Sequence, residues 1–219
     1  MTVEARVLLT RDDLRARVSA LAARVAEDHP DGVVLVGVLK GALVFAADLA
    51  RALVDVPVVL DFLAISRYAP DSGRVRILKD VDVEIAGRDV VVVEDLVDTG
   101  LTLAYLLAHL EPLRPRALDV CTLLDRPERR IVPTDVGYVG AELPGDAFVV
   151  GYGLHVGERY RNLPFVLQVD REALDADPDG CLAWYRAADP RPGATAPDPG
   201  DEPENPDAMV ADELERRRP

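Results

Sequence analysis

Cysteine and lysine are both scarce in this chain of 219 residues. The two cysteines, Cys121 and Cys181, have no metal-ligand or redox spacing, which removes zinc and dithiol chemistry from consideration. Cys121 falls in a strand-like apolar run and is expected to be a small core residue. Of 25 basic side chains only Lys40 and Lys79 are lysines. Where arginine is the default cation, a retained lysine is a candidate for a position that wants a compact ammonium. No apolar run approaches the length of a membrane span, and residues 1–10 have no signal-peptide core, so a cytoplasmic protein is expected. There is no long basic stripe, and the net charge is −14. Nucleic acid and membrane surfaces are therefore not expected partners. What remains is an ordinary globular composition, 49% hydrophobic and 29% charged. It is enough for one α/β domain with extras and shows no internal repeat.

Apolar periodicity lays out the elements. Thr10 and Asp13 have the spacing of a helix cap, and Leu14, Val18, Leu21 and Val25 follow at helical spacing, predicting a helix over 11–27. VVLVGVL (33–39) reads as a buried strand, ended by Lys40-Gly41, and residues 42–53 as a helix. VPVVLDFLAI (56–65) is a second strand, SRYAPDSG (66–73) a loop, and residues 74–85 an exposed antiparallel ribbon. After a turn at Gly87 come a strand over 89–94, a helix over 101–110 and a strand over 117–125. Residues 135–143 and 147–154 are shorter strands, residues 164–169 end the sheet, and residues 171–186 hold a short helix. His29 and His109 fall in helical segments and are expected at the surface. From residue 189 the chain is rich in proline and acid without apolar period, so a domain over 1–188 and a disordered tail over 189–219 are predicted. MVADELERRR within the tail has the character of a transient helix. A solvated appendage is the expected role, with a partner-docking segment as the alternative.

The stretch VVVVEDLVDTGLTL (90–103) carries the chemistry. Four valines suit a strand buried on both faces in a parallel sheet. Glu94, Asp95 and Asp98 then crowd three negative charges where the strand leaves the core, which is unfavourable unless a ligand repays it. Alternating strands and helices imply a mostly parallel sheet, whose ligands gather at the carboxyl ends of the strands. There Asp98-Thr99-Gly100-Leu101-Thr102 offers backbone N–H groups, two hydroxyls and a helix dipole to a phosphate. Ribose hydroxyls and Mg2+ both favour carboxylates. The expected ligand is a sugar phosphate, with its phosphate on the Thr/Gly loop and its diol on the acids.

This stretch resembles the phosphoribosyl-pyrophosphate (PRPP) motif of type I phosphoribosyltransferases. GVLKGALVFAADLAR (37–51), LLDRPERR (123–130) and FVVGYGLHVGERYRNLPF (148–165) resemble, in the same order, the hypoxanthine–guanine branch. The resemblance spans roughly residues 5–170. It implies an α/β fold with a mostly parallel sheet flanked by helices, a small hood and a flexible antiparallel loop. It also implies transfer of the 5-phosphoribosyl group from PRPP to a 6-oxopurine, with Mg2+ as cofactor and a homodimer or homotetramer. Carried over by residue, Glu94 and Asp95 hold the ribose hydroxyls, directly or through the metal. Asp98 is the general acid/base at purine N7. Asp98, Thr99, Gly100, Leu101 and Thr102 form the 5′-phosphate loop. Lys40-Gly41 matches the pyrophosphate loop, with its unusual peptide bond, and Arg161 the arginine that meets pyrophosphate. Phe148 stacks on the base, and Val149 reads its edge through the backbone. A flexible loop that closes over an activated sugar to exclude water is expected at SRYAPDSG.

Three positions depart from the family. His155 stands where an Asp binds a second Mg2+, and imidazole is a poor ligand for that ion. Arg126 stands where a Lys donates to the 6-oxo group. The loop from Tyr68 to Gly73 is shorter than the family's, with Arg67 in place of a small Ser. These departures leave three readings: hypoxanthine/guanine salvage, a phosphoribosyltransferase for a modified base such as a deazapurine, and a non-catalytic PRPP- or nucleotide-binding regulator.

Overall fold

The computed structural model describes residues 4–66, 76–186 and 190–195. Six strands form the main sheet in the order β4-β3-β2-β5-β6-β7. They are β2 (Val33–Leu39), β3 (Val58–Ser66), β4 (Arg76–Lys79), β5 (Asp89–Val97), β6 (Ala117–Asp125) and β7 (Tyr138–Glu142). All pairings are parallel except that of β4 with β3. β5 is central, with β2 on one side and β6 on the other.

Its valines show why the run is continuous rather than alternating. Val91 and Val93 pack with Leu14 of α1 (Arg11–Asp28) and Phe45 of α2 (Leu43–Ala52). Val90 and Val92 pack with Leu103, Leu106 and Leu110 of α3 (Leu101–Leu110), on the other face. With both faces covered, each buried valine contributes about 1.5–3 kcal/mol. The predicted cap of α1 is a full capping box: the Asp13 N–H donates to Thr10 Oγ1 at 3.1 Å and the Thr10 N–H to Asp13 Oδ2 at 2.9 Å.

A second sheet of three antiparallel strands forms the hood, in the order β1-β9-β8: β1 (Ala5–Leu9), β8 (Phe148–Val150) and β9 (Val166–Val169). β1 was not foreseen, though Ala5, Val7 and Leu9 alternate inward as a half-buried strand requires. Residues 164–169 do not end the main sheet as expected; their partner strands are β1 and β8. The hood is tied to α2 by Tyr152, whose hydroxyl donates to Asp48 Oδ2 at 2.7 Å.

Other boundaries shift for identifiable reasons. The expected ribbon over 74–85 is a strand only at Arg76–Lys79. Beyond it the buried Asp61 carboxylate accepts the N–H groups of Asp82 (2.6 Å) and Val83 (3.1 Å), so a side chain takes the donors a ladder would use. The short helix expected within 171–186 is α4 (Arg171–Ala176), with a separate 3-10 turn at Leu182–Arg186. The strand over 89–94 continues to Val97, carrying the acids within it.

His29 is not at the surface. It caps α1 and is buried, with Nδ1 3.0 Å from Asp89 Oδ2 and Nε2 3.2 Å from the Tyr138 hydroxyl. His109 is half-buried and paired with Asp80 at 2.9 Å. Cys121 is fully buried as expected, and so is Cys181.

Packing also continues beyond the expected boundary at 188/189. The Val7 N–H donates to the Ala194 carbonyl at 2.9 Å, the Gly193 N–H donates to the Val7 carbonyl at 3.0 Å, and Pro190 is buried. An edge strand needs partners for its outer backbone groups, and β1 finds two of them here. The rest of the tail, residues 196–219, lies outside the described residues. Among the described residues no helix is long and apolar enough to cross a membrane.

Candidate active site

The sheet places the acids at its carboxyl edge. Glu94 is buried, while Asp95 and Asp98 are half-buried. Asp95 is oriented by its neighbour, as the Leu96 N–H donates to its Oδ1 at 2.9 Å. Residues 98–100 then turn the chain into α3. Gly100 has φ +81° at the helix N-cap, a left-handed conformation that suits glycine, and a β-carbon there would lie 2.6 Å from the Val132 carbonyl oxygen. The N–H groups of the first helical turn point out of the helix with no intrahelical acceptor. Glu94, Asp98, Thr99, Gly100 and Thr102 line a cavity of about 90 Å³ with Leu96, Val97 and Leu103. Leu101 lies just outside it, with its side chain exposed.

A second segment braces this loop. The N–H groups of Ile131 and Val132 both donate to the Thr99 carbonyl, at 2.9 and 3.1 Å. Arg130 donates to the Asp98 carbonyl at 3.0 Å and also to the Asp125 carboxylate. The Asp98 carboxylate sits between two guanidinium groups: Arg129 Nε is 3.1 Å from Oδ1 and Arg126 Nη1 is 3.5 Å from Oδ2. Arg126 is itself buried and donates through Nη2 to the Ala147 carbonyl, just before β8. Its Nε–H is buried without a hydrogen-bond partner. Leaving such a donor unmet costs about 1–3 kcal/mol. Phe148 begins β8 with the Arg171 guanidinium 4.7 Å over its ring. Val149 follows it on the outer strand of the hood, where β9 occupies one side of the backbone only.

The third part is the loop after β2. The Leu39–Lys40 peptide is cis. Gly41 lies so close to Asp95 that a β-carbon on it would be 1.8 Å from Oδ2. On the hood side, a β-carbon on Gly153 would be 2.2 Å from the Gly41 carbonyl oxygen. These close approaches bring the acid, the Lys40-Gly41 loop and the hood loop together.

Arg161 closes the cluster. Its Nη1 donates to the Gly153 carbonyl at 2.6 Å and its Nη2 to Glu158 Oε1 at 3.1 Å. The Lys40 ammonium reaches Glu158 Oε2 at 3.0 Å. His155 accepts the Glu158 N–H on Nδ1 at 3.1 Å. Tyr152, Glu158 and Tyr160 all have positive φ in this loop. A tight loop of left-handed non-glycine residues costs about 1 kcal/mol or more at each, a pattern that collects at ligand sites.

The sequence-derived site residues thus fall into three adjoining groups: Glu94, Asp95 and Asp98–Thr102; Arg126 with Phe148 and Val149; and Lys40, Gly41, His155 and Arg161. Arg67 and the closing loop from 67 to 73 lie outside the described residues. Sequence reasoning passed over Arg129, Arg130 and Glu158. All three stand inside the quoted motifs, but nothing local distinguishes them from surface charges.

Comparison with known proteins gives a consistent result. The profile of the phosphoribosyl transferase domain matches residues 10–157. The hypoxanthine-guanine phosphoribosyltransferase of Mycobacterium avium is 46% identical over 174 residues, covering 75% of this chain and 85% of that protein. That of Bacillus subtilis (strain 168) is 41% identical over 165 residues, covering 74% and 91%. Among solved structures, a hypoxanthine-guanine phosphoribosyltransferase from Bacillus anthracis with HEPES in its active site superposes with TM-score 0.71 at 45% identity, covering 75% of this chain and 98% of that one. Hypoxanthine phosphoribosyltransferase from Trypanosoma cruzi, in complex with the product IMP, superposes with TM-score 0.72 at 40% identity, covering 77% and 95%. A profile matching more than half of the residues, and relatives this similar over most of their length, place the sheet, the hood and the acid-bearing strand end in one lineage: the chain belongs to the phosphoribosyl transferase domain family, in its hypoxanthine-guanine phosphoribosyltransferase branch.

Proposed function

We propose that this protein transfers the 5-phosphoribosyl group of PRPP to hypoxanthine or guanine, releasing pyrophosphate in purine salvage. The observation that carries the reading is the adjacency of the Glu94/Asp95 pair to the Asp98–Thr102 turn at the start of α3. A carboxylate pair suits a diol and the helix start suits a phosphate, and PRPP carries both.

Each group then has a task. Glu94 and Asp95 hold the ribose hydroxyls, and residues 98–102 hold the 5′-phosphate. Lys40 and Arg161 stabilise charge that grows on the departing pyrophosphate as the ribose becomes oxocarbenium-like. Asp98 handles the proton at purine N7 while N9 attacks C1′. Arg126 meets the 6-oxo group: its guanidinium can only donate, so an oxo group suits it, whereas a 6-amino group offers another donor. Phe148 and Val149 flank the base plane and edge.

Glu94 and Asp95 are also the residues that would hold Mg2+. Both are oxygen donors, as the ion prefers, but among the described residues no group of three metal-binding side chains assembles. Most of the ion's shell therefore falls to ligand and water oxygens. Bound there, Mg2+ would neutralise the polyphosphate. His155 adds no carboxylate, so a single metal held at the ribose side is the arrangement these residues support. Assembly as a homodimer or homotetramer and a cytoplasmic location complete the reading; sedimentation checks the first.

The test is a PRPP-dependent assay over purines, pyrimidines and purine analogues. Hypoxanthine and guanine should be consumed and adenine refused. Preference for a deazapurine would favour the modified-base reading, for which Arg126 is the motivating residue. PRPP binding without transfer to any base would favour a regulator.

A further inference from the structure

Lys40 and Arg161 come from different loops, and a carboxylate already lies between them. Glu158 Oε2 is 3.0 Å from the Lys40 ammonium, and Oε1 is 3.1 Å from Arg161 Nη2. The placement is built into the backbone. Glu158 has φ 65°, its N–H is held by His155 Nδ1 at 3.1 Å, and the Val156–Arg159 bridge closes the turn around it. Arg161 is anchored at its other end on the Gly153 carbonyl, and Gly153 packs on Gly41. Lys40 and Arg161 hold the Glu158 carboxyl down to about 2, the Lys40 hydrogen bond being the larger cause. It is an anion at any working pH. Its side chain remains more than half exposed, so nothing seals it in place.

A carboxylate that bridges two cations presents a pair of anionic oxygens to them, as a phosphoryl group does with more charge. We infer that Glu158 is an internal placeholder for pyrophosphate: it neutralises and positions Lys40 and Arg161 in the empty site, yields them to the incoming pyrophosphoryl arm, and competes with pyrophosphate for them as the product leaves. The inference rests on the proposed roles of Lys40 and Arg161. It makes Glu158 a positioning residue that sets the balance between substrate capture and product release, since an anion already on both cations must be displaced for every anion that binds.

The experiment measures binding of inorganic pyrophosphate to the full-length protein by titration calorimetry, without metal, together with steady-state kinetics. Glu158→Gln keeps the shape and removes the charge. It should tighten pyrophosphate binding and lower KM for PRPP by about 5- to 10-fold, the range expected when a competing exposed ion pair on each cation is lost. KM for the base should stay put, and kcat should fall if pyrophosphate release limits turnover. Glu158→Asp, too short to span both cations, should lie between the two proteins. Unchanged pyrophosphate binding in Glu158→Gln, while Lys40→Gln weakens it, would sink the placeholder and leave the pyrophosphate site standing. Weaker binding in Glu158→Gln would make Glu158 part of the ligand's own shell and also overturn the idea. If Lys40→Gln and Arg161→Gln leave pyrophosphate binding unaltered, the assignment of the cations fails, and the placeholder with it.

Discussion

Asp98 illustrates how much of the chemistry rests on single side chains. Two arginines face its carboxylate, and a third holds its carbonyl, so the group is positioned from both ends. Asp98→Asn keeps that geometry and removes the proposed base; kcat should fall about 10²-fold or more with the melting temperature nearly unchanged, as removal of a general base does. Gly41 makes a different demand. A methyl group there would meet Asp95 Oδ2, so Gly41→Ala should lower kcat/KM for PRPP at least ~10-fold by moving a catalytic-site acid rather than by unfolding the chain. Kinetics and thermal melts of the same sample separate the two effects. The cysteines offer a simpler check. Burial pushes Cys121 up to about 12 and Cys181 up to about 11, so neither should react with a thiol reagent until the protein is denatured.

At this scale the acids and the Thr/Gly turn were legible, because three like charges at the end of an apolar run conflict with stability and call for a ligand. Glu158 was not, since its partner Lys40 lies 118 residues away. His29 was misread for the same reason. The groups that bury it, Asp89 and Tyr138, come from positions 60 and 109 residues distant, and helical periodicity carries no trace of them.

Among the elements, β5 joins two opposite kinds of acid. At its carboxyl end the acids face the proposed ligand site; at its amino end Asp89 is paired within the fold. Arg116 Nε and Nη2 donate to it at 2.7 and 2.8 Å, and His29 approaches from α1. The Arg116 hydrogen bond is the main cause that brings the Asp89 carboxyl down to about 2. A depressed carboxyl stabilises the fold above its unfolded value and loses that contribution as pH falls, here between about 4 and about 2. Because Asp89 is buried but Arg116 is half exposed, the pair contributes roughly 1–2 kcal/mol. Arg116→Gln should therefore unfold at a higher pH in an acid titration followed by circular dichroism, and an unmoved midpoint would deny the pair that role. Strands such as β2 and β5 were readable because burial on both faces leaves an unbroken apolar run. β1 and β9 were harder: each is four or five residues long, and what fixes their sheet is a partner at the far end of the chain.

For the whole molecule, the main sheet and the hood are separate layers that share one site. Composition alone drew the boundary of the tail at residue 189, because proline and acid cannot supply a core. Packing passes that boundary, since residues 190–195 use the free edge of β1. A chain cut after Thr195 should melt within about 1 °C of the full protein, because it keeps every one of those contacts. One cut after Ala188 loses two backbone hydrogen bonds and the burial of Pro190, and should melt a few degrees lower, as about 1 kcal/mol moves a domain of this size by ~2–4 °C. Scanning calorimetry of the three proteins checks both statements.

The pairing of β1 with β9 also bears on the order in which the fold can close. The six strands of the main sheet are all present once Glu142 has left the ribosome, whereas Ala5–Leu9, made before all of them, has no strand partner until Val166–Val169 emerges. Chains grow slowly compared with the closure of local structure, at about 5–20 residues per second. Seconds therefore separate completion of the main sheet's strands from the arrival of β1's partner strand. Lys40 and the acids are in place during that interval; Arg161 and the rest of the hood loop are not. The proposed site becomes complete only when the hood loop and β9 join the sheet, and until then β1 lacks its strand partner.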